Sequence, residues 1–256
     1  MSSGADSGTS TSGSPVAVVT GASRGIGAGL GAYFASRGLR LGLCARSVPV
    51  APPGADVVSA AVDVGDAGAV HRFADDVVDR FGRIDLWVNN AGVLEPVGPL
   101  ADADSAALER HVATNVLGVM YGTAAFARHV RARVGEGALV NITSGAAATP
   151  YRGWAAYCAS KAAVDMLTEV VAREERSHGL RAYALAPGVV DTDMQALICA
   201  TPASTFPSVG RFVRRYEEGA FNSPGWVAAF LVDLVSDPGR ASGAVRLRVP
   251  DEAPGP

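Results

Sequence analysis

The chain has 256 residues and a mass of 26.1 kDa, a length that α/β sheets commonly fill as one domain. With 48% hydrophobic and 18% charged residues it is not a disordered chain, and no apolar run approaches the roughly 20 residues that cross a bilayer. A net charge of −3 without a basic stripe speaks against nucleic acid. Cys44, Cys158 and Cys199 are too dispersed for a zinc site and allow at most one disulfide, which fits a reducing, cytoplasmic setting.

Residues 1–14 are rich in Gly, Ser and Thr, with no basic start and no apolar core. They read as a disordered tail rather than a signal peptide. Short β-branched runs then alternate with Ala-rich stretches of helical spacing. The runs predict strands at Val16–Thr20, Leu39–Cys44, Val57–Val62, Ile84–Val88, Ala138–Thr143, Arg181–Ala186 and Ala244–Val249. Helices are predicted over 25–37, 66–81, 103–115, 117–134, 154–177 and 224–236, the last with Ser223 as N-cap and Pro224 at the first helical position. The repeated βαβ order predicts an α/β fold, a doubly wound parallel sheet of about seven strands between two helical layers. Residues 191–222 follow no periodic template and read as a long loop, a lid over a substrate. Residues 250–256 read as a Pro-rich tail, which leaves 15–249 as the one folded unit.

The first strand runs into Thr20-Gly21-Ala22-Ser23-Arg24-Gly25-Ile26-Gly27 and then a helix. Glycines allow the sharp turn and let the backbone approach a pyrophosphate, while the helix start offers free N–H groups. An NAD site would place an acid at the end of the second strand, about 20 residues on, to bind the ribose 2′-hydroxyl. Here Arg46, followed by Ser47, stands 19 residues after Gly27. A guanidinium there clamps a 2′-phosphate with paired hydrogen bonds, and Arg24 adds a second cation, so the predicted cofactor is NADP(H).

Of 22 basic residues, 21 are arginine and one is Lys161. Lys161 follows Tyr157 by four positions, which puts both on one helix face. A tyrosine hydroxyl with a pKa near 10 is a poor acid–base group at neutral pH. An ammonium about 4 Å away at an effective dielectric near 20 contributes roughly 4 kcal/mol, or about three pKa units. A compact ammonium can also hydrogen-bond ribose hydroxyls in a way a planar guanidinium cannot. Asn89-Asn90-Ala91-Gly92, Ser144 and Pro187-Gly188 each follow a strand, at the sheet edge where ligands bind. Ser144 there can hold a carbonyl oxygen, and Asn115 sits in an apolar helix where its amide needs partners.

Together these motifs resemble the single-domain short-chain dehydrogenase/reductase family, over about residues 15–248. The resemblance implies a Rossmann-type sheet and a catalytic set of Asn115, Ser144, Tyr157 and Lys161. Tyr157 would be the general acid/base. Lys161 would lower its pKa and hold the nicotinamide ribose. Ser144 would orient the carbonyl, and Asn115 would hold a water linking Lys161 to solvent. Asp63 would bind the adenine amino group. The implied dinucleotide-binding set is Gly21, Ser23, Arg24, Gly25, Ile26 and Gly27 of the turn; Arg46 and Ser47; Asp63 and Val64; Asn89, Ala91 and Gly92; Tyr157 and Lys161; and Pro187, Gly188, Val190 and Thr192.

Gly153–Cys158 and Ala186–Gln195 are similar to the sepiapterin reductase branch, which includes bacterial reductases of diketones such as benzil. That branch carries a carboxylate in the last strand where alignment on Ser242-Gly243-Ala244 places Leu247, which argues against a pterin substrate. The expected activity is NADPH-dependent reduction of a ketone or diketone. The alternatives are alcohol oxidation by the same machinery, or a non-catalytic dinucleotide sensor. The pocket is expected to be apolar, lined by Leu94, Ala146, Tyr151, Trp154, Met194 and Phe206. No metal is expected, and His71, His111, His129 and His178 receive no role. Helices 117–134 and 154–177 are expected to pair copies into a dimer or tetramer.

Overall fold

The computed structural model describes residues 13–253. Seven parallel strands form one sheet: β1 (Val16–Thr20), β2 (Arg40–Ala45), β3 (Val57–Ala61), β4 (Leu86–Asn89), β5 (Gly137–Ile142), β6 (Leu180–Ala186) and β7 (Arg246–Arg248). Their order is β3-β2-β1-β4-β5-β6-β7. The chain reverses its direction of travel between β1 and β4, and in such sheets ligands bind at the carboxyl ends of the strands beside that point.

Strand alternation divides the core in two. Ala17 and Val19 face one side of the sheet, where α1 (Gly25–Ser36) and α8 (Pro224–Ser236) contribute Leu30, Phe34, Val227 and Leu231. Val16 and Val18 face the other, where α2 (Ala67–Phe81), α4 (Gly118–Arg131) and α5 (Ala155–Glu174) contribute Phe73, Phe126 and Val171. Both faces are covered, which is why the strands read as continuous apolar runs. Ser223 caps α8 through the Trp226 N–H at 3.1 Å, with Pro224 in the first turn, as the sequence predicts. The helices predicted as 103–115 and 117–134 are joined. α3 (Ser105–Val112) passes through one π-helical turn, Ala113–Leu117, directly into α4.

Two expectations are corrected. Residues 191–222 are not a structureless loop: they fold α6 (Asp193–Ala200) and α7 (Val209–Glu217). Both are short, and Pro202, Pro207 and Gly210 between and within them masked the period. The C-terminal stretch is tied down as far as Glu252. The Pro250 carbonyl accepts from Trp226 Nε1 at 2.9 Å, and the Glu252 N–H donates to Asn222 Oδ1 at 2.7 Å. Most of the tail expected over 1–14 lies outside the described residues. Ser14, which is described, accepts two hydrogen bonds from Arg40.

Candidate active site

A cavity of about 950 Å³ opens at the carboxyl ends of the strands. One part of it is built from main chain. Gly21 has φ +67°, and a Cβ there would stand 2.7 Å from Ala91 Cα, so only glycine fits the turn. A Cβ on Gly27 would stand 2.3 Å from the Gly21 carbonyl oxygen, so this glycine allows the turn to close but does not itself line the cavity. Asn90 fastens the turn: its Nδ2 donates to the Thr20 carbonyl at 2.9 Å and the Gly21 carbonyl at 3.2 Å. No side chain caps the start of α1, which leaves its first N–H groups to a ligand.

Ser23, Arg24, Gly25, Ile26, Arg46, Ser47, Asp63, Val64, Ala91, Gly92, Pro187, Gly188, Val190 and Thr192 all line the cavity. The close-approach glycine and the uncapped helix start fit a nicotinamide dinucleotide. Arg24 pairs with Asp193 at 3.1 Å, whereas Arg46 makes no ion pair among the described residues. Asp63 Oδ1 accepts from the Gly65 N–H at 2.9 Å.

Asn89 is corrected. It ends β4 with its side chain turned into the sheet layer. There it accepts from Trp87 Nε1 at 2.8 Å and donates to Asn141 Oδ1 at 2.9 Å and Thr123 Oγ1 at 3.2 Å. Alternation along the strand turns the next residue, Asn90, to the cavity instead.

Ser144, at the end of β5, and Tyr157 and Lys161, one turn apart on α5, line the same cavity. The Ser144 hydroxyl accepts from the Ala146 N–H at 3.2 Å. Burial pushes the Tyr157 pKa up and the neighbouring Ser144 opposes it. The expected depression by Lys161 is absent. Its Nζ lies 5.7 Å from the ring centroid and donates to the Ile142 carbonyl at 2.9 Å. Burial lowers the Lys161 pKa to about 8, while Asp165 pulls it back up.

Asn115 is fully buried in the π turn and does not line the cavity. Its Oδ1 accepts from the Val93 N–H and its Nδ2 donates to the Val93 carbonyl, each at 2.8 Å. The amide's second proton goes to His111 Nε2 at 3.0 Å, and His111 Nδ1 donates to the Glu95 carbonyl at 2.7 Å. His111, expected to have no role, is thus a buried partner of Asn115, and burial holds its pKa down. The spacing of four between the two residues was the available signal.

At the other end of the cavity Leu94, Ala146, Tyr151, Trp154 and Met194 form an apolar wall. Phe206 stands behind that wall, stacked on Trp154 with centroids 4.3 Å apart. The pocket is not purely apolar: Arg211, Arg215 and Arg248 also line it. On β7 the side chain at 247 packs into the core and the one at 248 reaches the cavity, so the last strand brings a guanidinium to the site rather than Leu247. Among the described residues no group of three His, Cys, Asp or Glu side chains could hold a metal.

The chain is 40% identical to a benzil reductase ((S)-benzoin forming) of Bacillus cereus, a match that covers 61% of this chain and 64% of that protein, just under two thirds of its length. It is 34% identical to a D-threitol dehydrogenase of Mycolicibacterium smegmatis, over 87% of this chain and 86% of that one. The crystal structure of the KRED1-Pglu enzyme superposes with a TM-score of 0.79 at 32% identity, over 87% of this chain and 95% of the other. The short chain dehydrogenase family model matches residues 15–202. With the glycine turn, the seven-stranded sheet and the Ser144, Tyr157 and Lys161 positions all in place, the chain belongs to the short-chain dehydrogenase family.

Proposed function

We propose that the protein is an NADPH-dependent reductase that converts a ketone or diketone to a secondary alcohol. The observation that carries this reading is that Ser144, Tyr157 and Lys161 face one cavity with the glycine turn and Arg46. The dinucleotide, when bound, supplies the hydride. Tyr157 gives the proton to the carbonyl oxygen, and a phenol kept protonated by burial suits that direction. Ser144, which lines the same cavity as the phenol, holds the carbonyl oxygen beside it. Lys161 holds the ribose hydroxyls. Asn115 Oδ1 and Lys161 Nζ stand 3.5 and 3.7 Å from the point where a Cβ on Gly92 would lie, close enough for a water to join them around that glycine.

Arg46 supports NADPH over NADH, because its guanidinium is uncommitted where a 2′-hydroxyl site would need an acid. The likeness to the benzil reductase supports a diketone substrate. The likeness to the D-threitol dehydrogenase supports a second reading, oxidation of an alcohol by the same groups in reverse. We place a homodimer or homotetramer contact on α4 and α5, which leave Met120, Met166 and Val170 exposed.

Protein mixed with NADPH and benzil should consume the reduced dinucleotide, and Tyr157→Phe should stop turnover while NADPH still binds. If the dinucleotide binds but no carbonyl or alcohol turns over, the protein is a dinucleotide sensor and not a reductase.

A further inference from the structure

We propose that the ketone accepted by this cavity carries a carboxylate, set off from the reacting carbonyl by an apolar ring, and that Arg211, supported by Arg215 and Arg248, binds it. The inference rests on the reading above for the ketone but not for the anion.

Arg211 and Arg215 are four apart on α7 and both line the cavity, so they share one helix face. Arg248 reaches the same space from β7. Its Nη1 is 4.0 Å from the point where a Cβ on Gly145 would stand, one residue past Ser144. Asp251 lies between Arg215, at 3.2 Å, and Arg248, at 3.3 Å. These guanidinium groups hold its carboxyl below the usual range, so it stays charged. Glu95 lines the cavity as well, and Asp193 is paired with Arg24. The arginines therefore outnumber the carboxylates that face them. Arg211 is the uncommitted one: among the described residues it makes no ion pair, and its Nη1 donates to the Tyr151 hydroxyl at 3.4 Å.

The wall between the reacting phenol and Arg211 is aromatic. The Trp154 centroid is 5.6 Å from that of Tyr157, and Tyr151 is a further 5.0 Å from Trp154. A substrate ring against this wall, with its carbonyl at Tyr157, would point a substituent at Arg211. Trp154 is 3% exposed, and its indole Nε1 has no hydrogen-bond partner among the described residues, a buried donor for a polar atom of a ligand. A neutral ring substituent would leave Arg211 with only the Tyr151 hydroxyl and water. A carboxylate accepts two parallel charge-assisted bonds from a guanidinium, and these strengthen where a bound ring excludes water.

The test uses benzil bearing one para carboxylate and the methyl ester of the same compound, so that the diketone is unchanged. Binding is measured by calorimetry on protein saturated with NADP⁺, and reduction is followed with NADPH. The acid should bind about tenfold more tightly than the ester, a difference of about 1.4 kcal/mol. Its advantage should shrink as salt rises. Arg211 is exposed at the rim, and Arg211→Glu should drive the acid-to-ester ratio below one. Equal affinity for acid and ester in the unmodified protein, or a ratio unmoved in Arg211→Glu, would overturn the proposal. Tight binding of the acid with no reduction of either compound would keep the anion site and sink the reductase reading. Reduction of both at equal kcat/KM with equal affinity would do the reverse.

Discussion

The Lys161 ammonium donates to the carbonyl of Ile142 at 2.9 Å, inside the protein, with Asp165 as the acid that steadies its charge. Its pKa of about 8 stands against an ordinary 10.5. Below pH 8 both folded and unfolded chains hold this proton, and the whole cost of burying it weighs on the fold. Between pH 8 and 10.5 the folded chain has released it and the unfolded chain has not, so stability from this group rises with pH. Lys161→Met should therefore stabilise the ligand-free protein at pH 7 by about 2 kcal/mol, once the lost bond to Ile142 is set against the relieved burial. The advantage should fade by pH 10.5. Urea unfolding at neutral and alkaline pH measures it, and a variant less stable at both would contradict the account.

Lys161→Arg keeps the charge and tests its shape. Nζ already sits 3.7 Å from the place of a Gly92 Cβ, and the larger planar group must displace Gly92, Ile142 or the ribose. A shift of about 1 Å at a reacting centre costs on the order of a hundredfold. Steady-state assays should show kcat lower by about two orders of magnitude and weaker dinucleotide binding. Near-normal turnover would make the lone lysine an accident of composition.

Arg46→Asp replaces an uncommitted cation with a charge that repels a 2′-phosphate. The ratio of kcat/KM for NADPH over NADH should fall at least tenfold, about 1.4 kcal/mol. Equal use of the two dinucleotides by the unmodified protein would refute the assignment.

His111→Leu removes the better acceptor of the second Asn115 amide proton and leaves it only the Ser160 hydroxyl at 3.4 Å. The cost should be about 1–3 kcal/mol in urea unfolding. His111→Gln, which can offer an oxygen near the same place, should recover part of it. If both variants unfold like the parent, Val93 and Ser160 suffice to hold Asn115.

The central strands were legible because they are covered on both faces, so Val16–Val19 and Leu139–Val140 read as unbroken apolar runs. The glycine turn and the Tyr157–Lys161 pair were legible because their chemistry depends on local spacing. What was missed depends on direction or on distant packing. Asn89 and Asn90 are one residue apart in sequence yet point to opposite sides of the sheet, and composition does not say which faces the ligand. Leu247 and Arg248 repeat the same ambiguity at the end of β7. α6 and α7 are too short to hold a period, and their positions follow from Phe206 and Phe212 packing on Trp154. The burial that pushes the Tyr157 pKa up comes from packing around the ring, which a spacing of four does not reveal.

The two ends of the cavity are held by different kinds of constraint. Around Gly21, Gly27 and Ala91 the main chain itself is in contact, and any added carbon collides with backbone that has nowhere to go. Around Tyr151, Phe212 and Arg211 the contacts run between side chains of a loop and of the short helix α7, outside the sheet. Mutation can therefore rewrite what the enzyme accepts without touching what drives it. A library randomised at Met194, Arg211 and Arg215 should change which substrates are accepted while dinucleotide binding stays as it is.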